Sequence, residues 1–197
     1  MIAAVRQADH AGNRAQAVRD TARMPVFAPR QLCLGASVIA IGAFDGVHRG
    51  HQKVIGSAVA SARQRGCPSL VYTFDVPPKA FFSGARVITP VEEKIRKIAG
   101  LGVACAVVAP FDRDYAARTA EDFMAELALL NPQEIWVGAD FRFGAKSAGD
   151  VTLLASRFVV KVVDPVCCGR GEVISSSRIR RLLHDDPAAA RQLLAHN

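Results

Sequence analysis

Short, nearly continuous apolar runs recur along the chain at residues 38–42, 69–74, 103–109, 134–137 and 158–163. Between them, apolar positions return at helical spacing. Runs of that kind predict strands buried on both faces, since a strand with one wet face would alternate instead. The helices have readable starts. A helical stretch is expected over 52–65. Thr89-Pro90-Val91-Glu92 offers a cap, a proline at the first helical position and a reciprocating glutamate. Thr119 precedes Glu121 and Asp122, which place acids in a first turn. Ser175-Ser176-Ser177 leads into 179–183, and Asp186-Pro187 opens a last short helix. Strand and helix alternating to the end predict a single-domain α/β fold with a doubly wound parallel sheet. Ligands in such sheets bind beyond the carboxyl ends of the strands, where the strand order reverses.

Residues 1–30 break the pattern. They hold Arg6, Arg14, Arg19, Arg23 and Arg30, many alanines and no lysine. We read them as an N-terminal extension, a frayed tail or one loose helix, ahead of a domain at 31–197.

The 197 residues suit one well-packed domain, and with 50% apolar and 22% charged residues the composition is globular. No apolar run has the length of a membrane span, and no signal-peptide core is present at the start. Cys33, Cys67, Cys105, Cys167 and Cys168 show no CxxC spacing. Together these read as reduced thiols in a cytoplasmic protein. The net charge of +7 raises nucleic acid as a partner. Neither aromatic-basic interleaving nor zinc-finger spacing supports it. The arginines gather at the N-terminus and at Arg178, Arg180 and Arg181. A basic field around a site for small polyphosphates accounts for the same excess, without nucleic acid or membrane.

The densest chemistry lies at Gly42-Ala43-Phe44-Asp45-Gly46-Val47-His48-Arg49-Gly50-His51, between the first strand and the first long helix. Strand, glycine-punctuated turn and helix start together offer backbone N–H groups and a dipole end to a phosphate. His48 and His51 have three readings: local hydrogen bonding at a helix end, metal ligation, or donation to phosphate. Ligation needs a third ligand, and none is patterned nearby. The glycines at 42, 46 and 50 favour close approach of a phosphate. The serine run is either a helix cap or a second phosphate-binding helix start. Phe141 and Phe143, with Asp140 and Arg142, suit a ring-binding wall or a loop core. Phe81 and Phe82 suit a flap or exposed packing. Asp45 and Asp75 are metal ligands or turn residues on equal terms.

At this point the chain resembles a known family. GAFDGVHRGH is similar to the GxFDGxHxGH signature of the FAD synthetases, the FMN adenylyltransferase members of the HxGH nucleotidyltransferase superfamily. Further matches follow in the family's order: Thr73-Phe74-Asp75, Thr89-Pro90-Val91-Glu92-Glu93-Lys94, 137–144 (VGADFRFG), Gly149-Asp150-Val151 and 174–180 (ISSSRIR). The likeness implies a Rossmann-like HxGH nucleotidyltransferase fold that transfers AMP from ATP to FMN, giving FAD and pyrophosphate. It implies catalytic roles for His48, His51, Ser176 and Arg180. It implies ATP binding by Gly42, Ala43, Phe44, Asp45, Gly46, Gly50, Ser175 and Ser177, and flavin binding by Pro78, Phe82, Asp140 and Phe143. Mg²⁺ is implied with ATP, held largely by the substrate phosphates and water. Two departures stand out. Where the family has Pro-His-Pro, this chain reads Val76-Pro77-Pro78, which replaces an imidazole with a ring that donates nothing. The riboflavin kinase domain common in bacterial members has no counterpart within these residues, so kinase activity is not expected. Two alternatives remain open at this stage: another phosphorylated acceptor, or a non-catalytic nucleotide- or flavin-binding protein.

Overall fold

The computed structural model describes residues 24–194. Most of the segment set apart as an N-terminal extension therefore lies outside the described residues. Its last part enters the sheet, with β1 (Val26–Phe27) at one edge. The chain continues through β2 (Ser37–Ile41), α1 (Arg49–Arg65), β3 (Ser69–Phe74), α2 (Pro78–Ser83), α3 (Val91–Ala99), β4 (Cys105–Ala109), α4 (Arg113–Ala116) and α5 (Ala120–Ala128). It then forms β5 (Pro132–Gly138), β6 (Arg142–Phe143), β7 (Gly149–Asp150), α6 (Val151–Ala155), β8 (Val160–Val163), α7 (Ser176–Asp185) and α8 (Pro187–Leu194).

Six strands form one parallel sheet in the order β1-β4-β3-β2-β5-β8. From β2 the chain winds outward through β3 and β4. It then returns to the other side of β2 as β5 and continues to β8. The reversal falls between β2 and β5, and the site lies beyond their carboxyl ends. All five residues of β2 are buried. Ile39 and Ile41 face a core shared with Leu70, Tyr72, Phe123 and Leu127. Val38 and Ala40 face the opposite core, with Val54, Ile55, Val59 and Ile98. Covering both faces is what made the run read as continuously apolar.

All five expected strands are present. β1, β6 and β7, each of two residues, were too short for periodicity to reveal. The antiparallel β6–β7 pair follows β5 and presents Phe143. Two helix starts differ from the sequence reading. α1 begins at Arg49 rather than at 52, with His48 as its N-cap, so both histidines belong to the helix terminus. α3 is preceded by Pro90 as N-cap without a side-chain cap. Thr89 is instead buried, and its N–H is taken by the carboxylate of Asp45. α5 starts after Thr119 with Glu121 and Asp122 in its first turn, as expected, and Thr119 and Asp122 also form a reciprocal capping box.

Candidate active site

The turn after β2 is unusual backbone. Phe44, Gly46 and Val47 have φ of 48°, 89° and 45°. Left-handed φ is costly for a β-branched residue, so such a turn persists only when its surroundings over-determine it. Asp45 does much of that holding. Its buried carboxylate accepts from the N–H groups of Ile88 (3.0 Å) and Thr89 (3.1 Å) and pairs with Arg180 at 2.6 Å. Arg180 also donates through Nε to the carbonyl of Arg86 at 2.7 Å. Gly46 faces away from the cleft: a Cβ there would meet Leu194 at 3.0 Å and Ile88 at 3.2 Å. Gly50 leaves room for the His48 ring, which would stand 3.2 Å from a Cβ.

His48 and His51 stack with ring centroids 3.6 Å apart. Among the described residues, the Nδ1 atoms of these two rings are buried without a hydrogen-bond partner. Burial lowers the pKa of His48 to about 4. Burial, and then the charges of His48 and Lys94, push His51 well below the ordinary histidine range. Both imidazoles are therefore neutral at physiological pH, each with one N–H to give. They stand at the amino end of α1, whose first turn carries no acid, so helix dipole and free N–H groups favour an anion there.

The opposite wall is the start of α7, and its three serines divide their work. Ser175 caps the helix, accepting from the N–H of Arg178 at 3.3 Å. Ser176 donates to the main-chain carbonyl of Asp45 at 3.0 Å. Ser177 accepts from Nζ of Lys79 in α2 at 2.8 Å. Ile174, whose N–H bonds the carbonyl of Val166 at 2.8 Å, closes the loop that leads into them.

These segments enclose a cleft of about 640 Å³. It is lined by Gly42, Ala43, Phe44, Asp45, His48, Gly50, His51, Pro78, Asp140, Ser175, Ser176, Ser177 and Arg180. The structure thus brings together all but three of the residues to which the resemblance gives catalytic, ATP-binding or flavin-binding roles; Phe81 and Asp75 do not line this cleft either. Gly46 packs against α8. Phe82 and Phe143 line an adjoining pocket of about 130 Å³ with Phe111, Tyr115, Arg118 and Phe123. Phe74, Pro78 and Phe141 border both spaces. Pro77, in the family's histidine position, lines the main cleft and is the N-cap of α2.

The two acids left open between metal ligation and a turn role both accept main-chain N–H bonds here. The Asp45 carboxylate is occupied as described, and Asp75 accepts from the N–H groups of Phe111 (2.8 Å) and Val76 (2.5 Å). Among the described residues no group of three or more His, Cys, Asp or Glu side chains converges as a metal cage. That donor set suits an ion held chiefly by substrate oxygens and water.

The sequence reading missed three features. Phe111 and Tyr115 join the aromatic pocket from the segment after β4, and Lys79 reaches Ser177; nothing local marks them. Lys94 was legible in principle: it occupies the apolar stripe of α3 between Val91 and Ile98, where a lysine is out of place. No helix among the described residues is long and apolar enough to cross a membrane.

The FAD synthetase family model matches residues 31–178. A Geobacillus thermodenitrificans protein, provisionally named a bifunctional riboflavin kinase/FMN adenylyltransferase, is 53% identical over 152 residues, covering 77% of this chain and 85% of that one. The Escherichia coli K12 bifunctional riboflavin kinase/FMN adenylyltransferase is 37% identical over 180 residues, covering 86% of this chain and 56% of the relative. A solved structure described as a macrolide-efflux protein from Streptococcus pneumoniae superposes with a TM-score of 0.77 at 29% identity, over 87% of this chain and 61% of that chain.

Proposed function

The chain belongs to the FAD synthetase family, and we propose that it transfers AMP from ATP to FMN, yielding FAD and pyrophosphate. One observation carries the reading: the histidine-bearing helix start and the serine-rich helix start line one cleft that opens onto an aromatic pocket. Two helix N-termini with hydroxyl and imidazole donors suit a triphosphate. Pro78, Phe82 and Phe143 supply flat apolar surface for a fused ring, with Asp140 on the cleft side.

In this reading an FMN phosphate oxygen attacks the α-phosphorus of ATP. The bond between that phosphorus and the bridging oxygen breaks, and pyrophosphate leaves. The attacking phosphate is already ionised, so no general base is required. Catalysis then consists of alignment and stabilisation of developing charge. His51 and His48 donate to the transferring and neighbouring phosphates, with Ser175, Ser176 and Ser177 on the far side. Arg180, held by Asp45, adds positive potential for the departing pyrophosphate. Mg²⁺ travels with ATP and shields phosphate charge when bound.

The test is product identification after mixing the protein with FMN, ATP and Mg²⁺, with riboflavin, other phosphorylated acceptors and CTP in parallel. FAD and pyrophosphate formed only from FMN and ATP are expected. A non-flavin product, or tight binding of both substrates without pyrophosphate release, overturns the reading.

A further inference from the structure

Lys94 is 1% exposed, in the middle of α3. The next lysine on that helix, Lys97, lies further out and pairs with Glu93 at 2.9 Å. No ion pair reaches Lys94 among the described residues. Its ammonium donates instead to two main-chain carbonyls: Phe74, the last residue of β3, and Ala43, in the turn after β2, the latter at 3.3 Å. A buried ammonium is expensive, and leucine or methionine would fill the same stripe without that cost. Burial pulls its pKa down to about 8, while Asp45 and Asp75 oppose the shift.

Three donors and a positive charge are what an apolar residue could not supply here. β2 and β3 are paired along their length and part at their carboxyl ends, one into the histidine turn and the other toward Pro77. Beyond the last ladder bond their carbonyls need other donors. Lys94 serves both, and Thr73 Oγ1 also donates to the carbonyl of Ala43 at 3.1 Å. The floor of the cleft is thereby fixed where the strands separate.

We propose that Lys94 is a positioning residue for adenylyl transfer: from beneath the cleft it clamps the carbonyls of Ala43 and Phe74 and so holds the turn carrying His48 and His51 against the triphosphate. The proposal rests on the adenylyltransferase reading. Its charge has a second consequence, because Lys94 acts on His51 electrostatically. The titratable and charged groups facing His51 include His48 at the same helix terminus and Lys94 on α3, with Asp45 and Asp75 beyond Lys94 and Arg180 paired to Asp45. Lys79 on α2, Asp140 and Arg142 after β5 and Asp164 after β8 line the same cleft. Lys94 opposes protonation of His51 in the free protein.

The experiment compares Lys94→Gln, which keeps donors without charge, and Lys94→Met, which keeps neither. Steady-state rates with FMN and ATP are read beside imidazole titrations by ¹H–¹⁵N NMR of the free protein. We expect kcat to fall about tenfold or more in Lys94→Met and less in Lys94→Gln, the scale of a misplaced catalytic turn. KM for FMN changes less than kcat, because among the described residues Lys94 bonds the aromatic pocket's lining only at the main-chain carbonyl of Phe74. The His51 midpoint rises in both variants. Parental kcat in both, or lost kcat with an unmoved His51 midpoint, overturns the proposal. Should neither variant fold, the parent protein labelled at lysine Nζ decides: a buried lysine titrating near 8 supports it, and only ordinary lysine titrations overturn it. Absence of FAD from the parent would sink the adenylyltransferase reading, while the titrations would still judge the electrostatic role of Lys94.

Discussion

Ser176 donates a 3.0 Å hydrogen bond to the main-chain carbonyl of Asp45 across a sequence separation of 131 residues. The bond joins the start of α7 to the turn after β2. The Asp45–Arg180 pair reinforces the same junction one turn along the helix. The two helix starts are therefore mechanically one unit, and the predictions below test its parts.

Asp45→Ala removes the acceptor of two main-chain N–H groups and leaves Arg180 without its carboxylate. Breaking such a buried pair from one side costs about 3–5 kcal/mol. A free energy of unfolding lowered by that amount, with adenylyl transfer lost in parallel, is the expected result. Parental stability by urea unfolding would show that the turn is held by other means.

His51→Ala is expected to cost on the order of 10²-fold in kcat, the scale of losing one preorganised donor to developing charge. Circular dichroism and thermal unfolding should change little, because the ring lies at a helix terminus facing the cleft. Unchanged turnover would assign the stacked histidines a purely structural role.

Stability should depend on acid in a defined window. His48 titrates near 4 when folded and near 6.5 when unfolded, so between those values the unfolded chain binds more protons. Stability is full above about pH 6.5 and declines as pH falls toward 4, by an amount on the order of 3 kcal/mol from this group. His51 acts in the same direction. Urea unfolding at pH 7 and pH 4.5 measures the decline, and His48→Gln should flatten it.

Phe82 is 68% exposed, so Phe82→Ala should leave stability within about 0.5 kcal/mol of the parent. If its ring covers the flavin, KM for FMN rises about tenfold, the worth of one aromatic contact, while KM for ATP is unchanged. Equal effects on both substrates would detach α2 from the flavin pocket.

The Cys168 thiol accepts from Arg178 Nη1 at 3.3 Å, and that contact, with backbone N–H groups, draws its pKa down to about 7. Cys105, buried in the sheet, is pushed up to about 11. At pH 7, iodoacetamide should label Cys168 well before Cys105, and Arg178→Ala should slow the labelling. Mass spectrometry of the modified peptides reads the order directly.

How much was legible in the sequence follows from the range over which each residue acts. Strands buried on both faces write themselves as continuous apolar runs, so the five principal strands and the order of motifs could be read directly. The helix start at Thr119, with Glu121 and Asp122 in its first turn, was equally plain. Thr89 was not, because its amide is claimed by Asp45 from a distant turn. The phosphate reading of the histidines and serines came from their place at helix starts and from the order of the family motifs, not from the residue types by themselves. What each serine does depends on neighbours that chain proximity does not supply: Asp45 for Ser176 and Lys79 for Ser177.

The sequence by itself determined the class of sheet, the principal strands and the family. Only the tertiary structure decided that Phe82 and Phe143 share a pocket apart from the histidines, that Gly46 serves packing against α8, and that Lys94 lies under the cleft floor. Periodicity and capping are interactions within a few residues and leave a local trace. A buried charge, a shared cavity or a carboxylate bridging two loops exists only after parallel crossovers bring distant strand ends together.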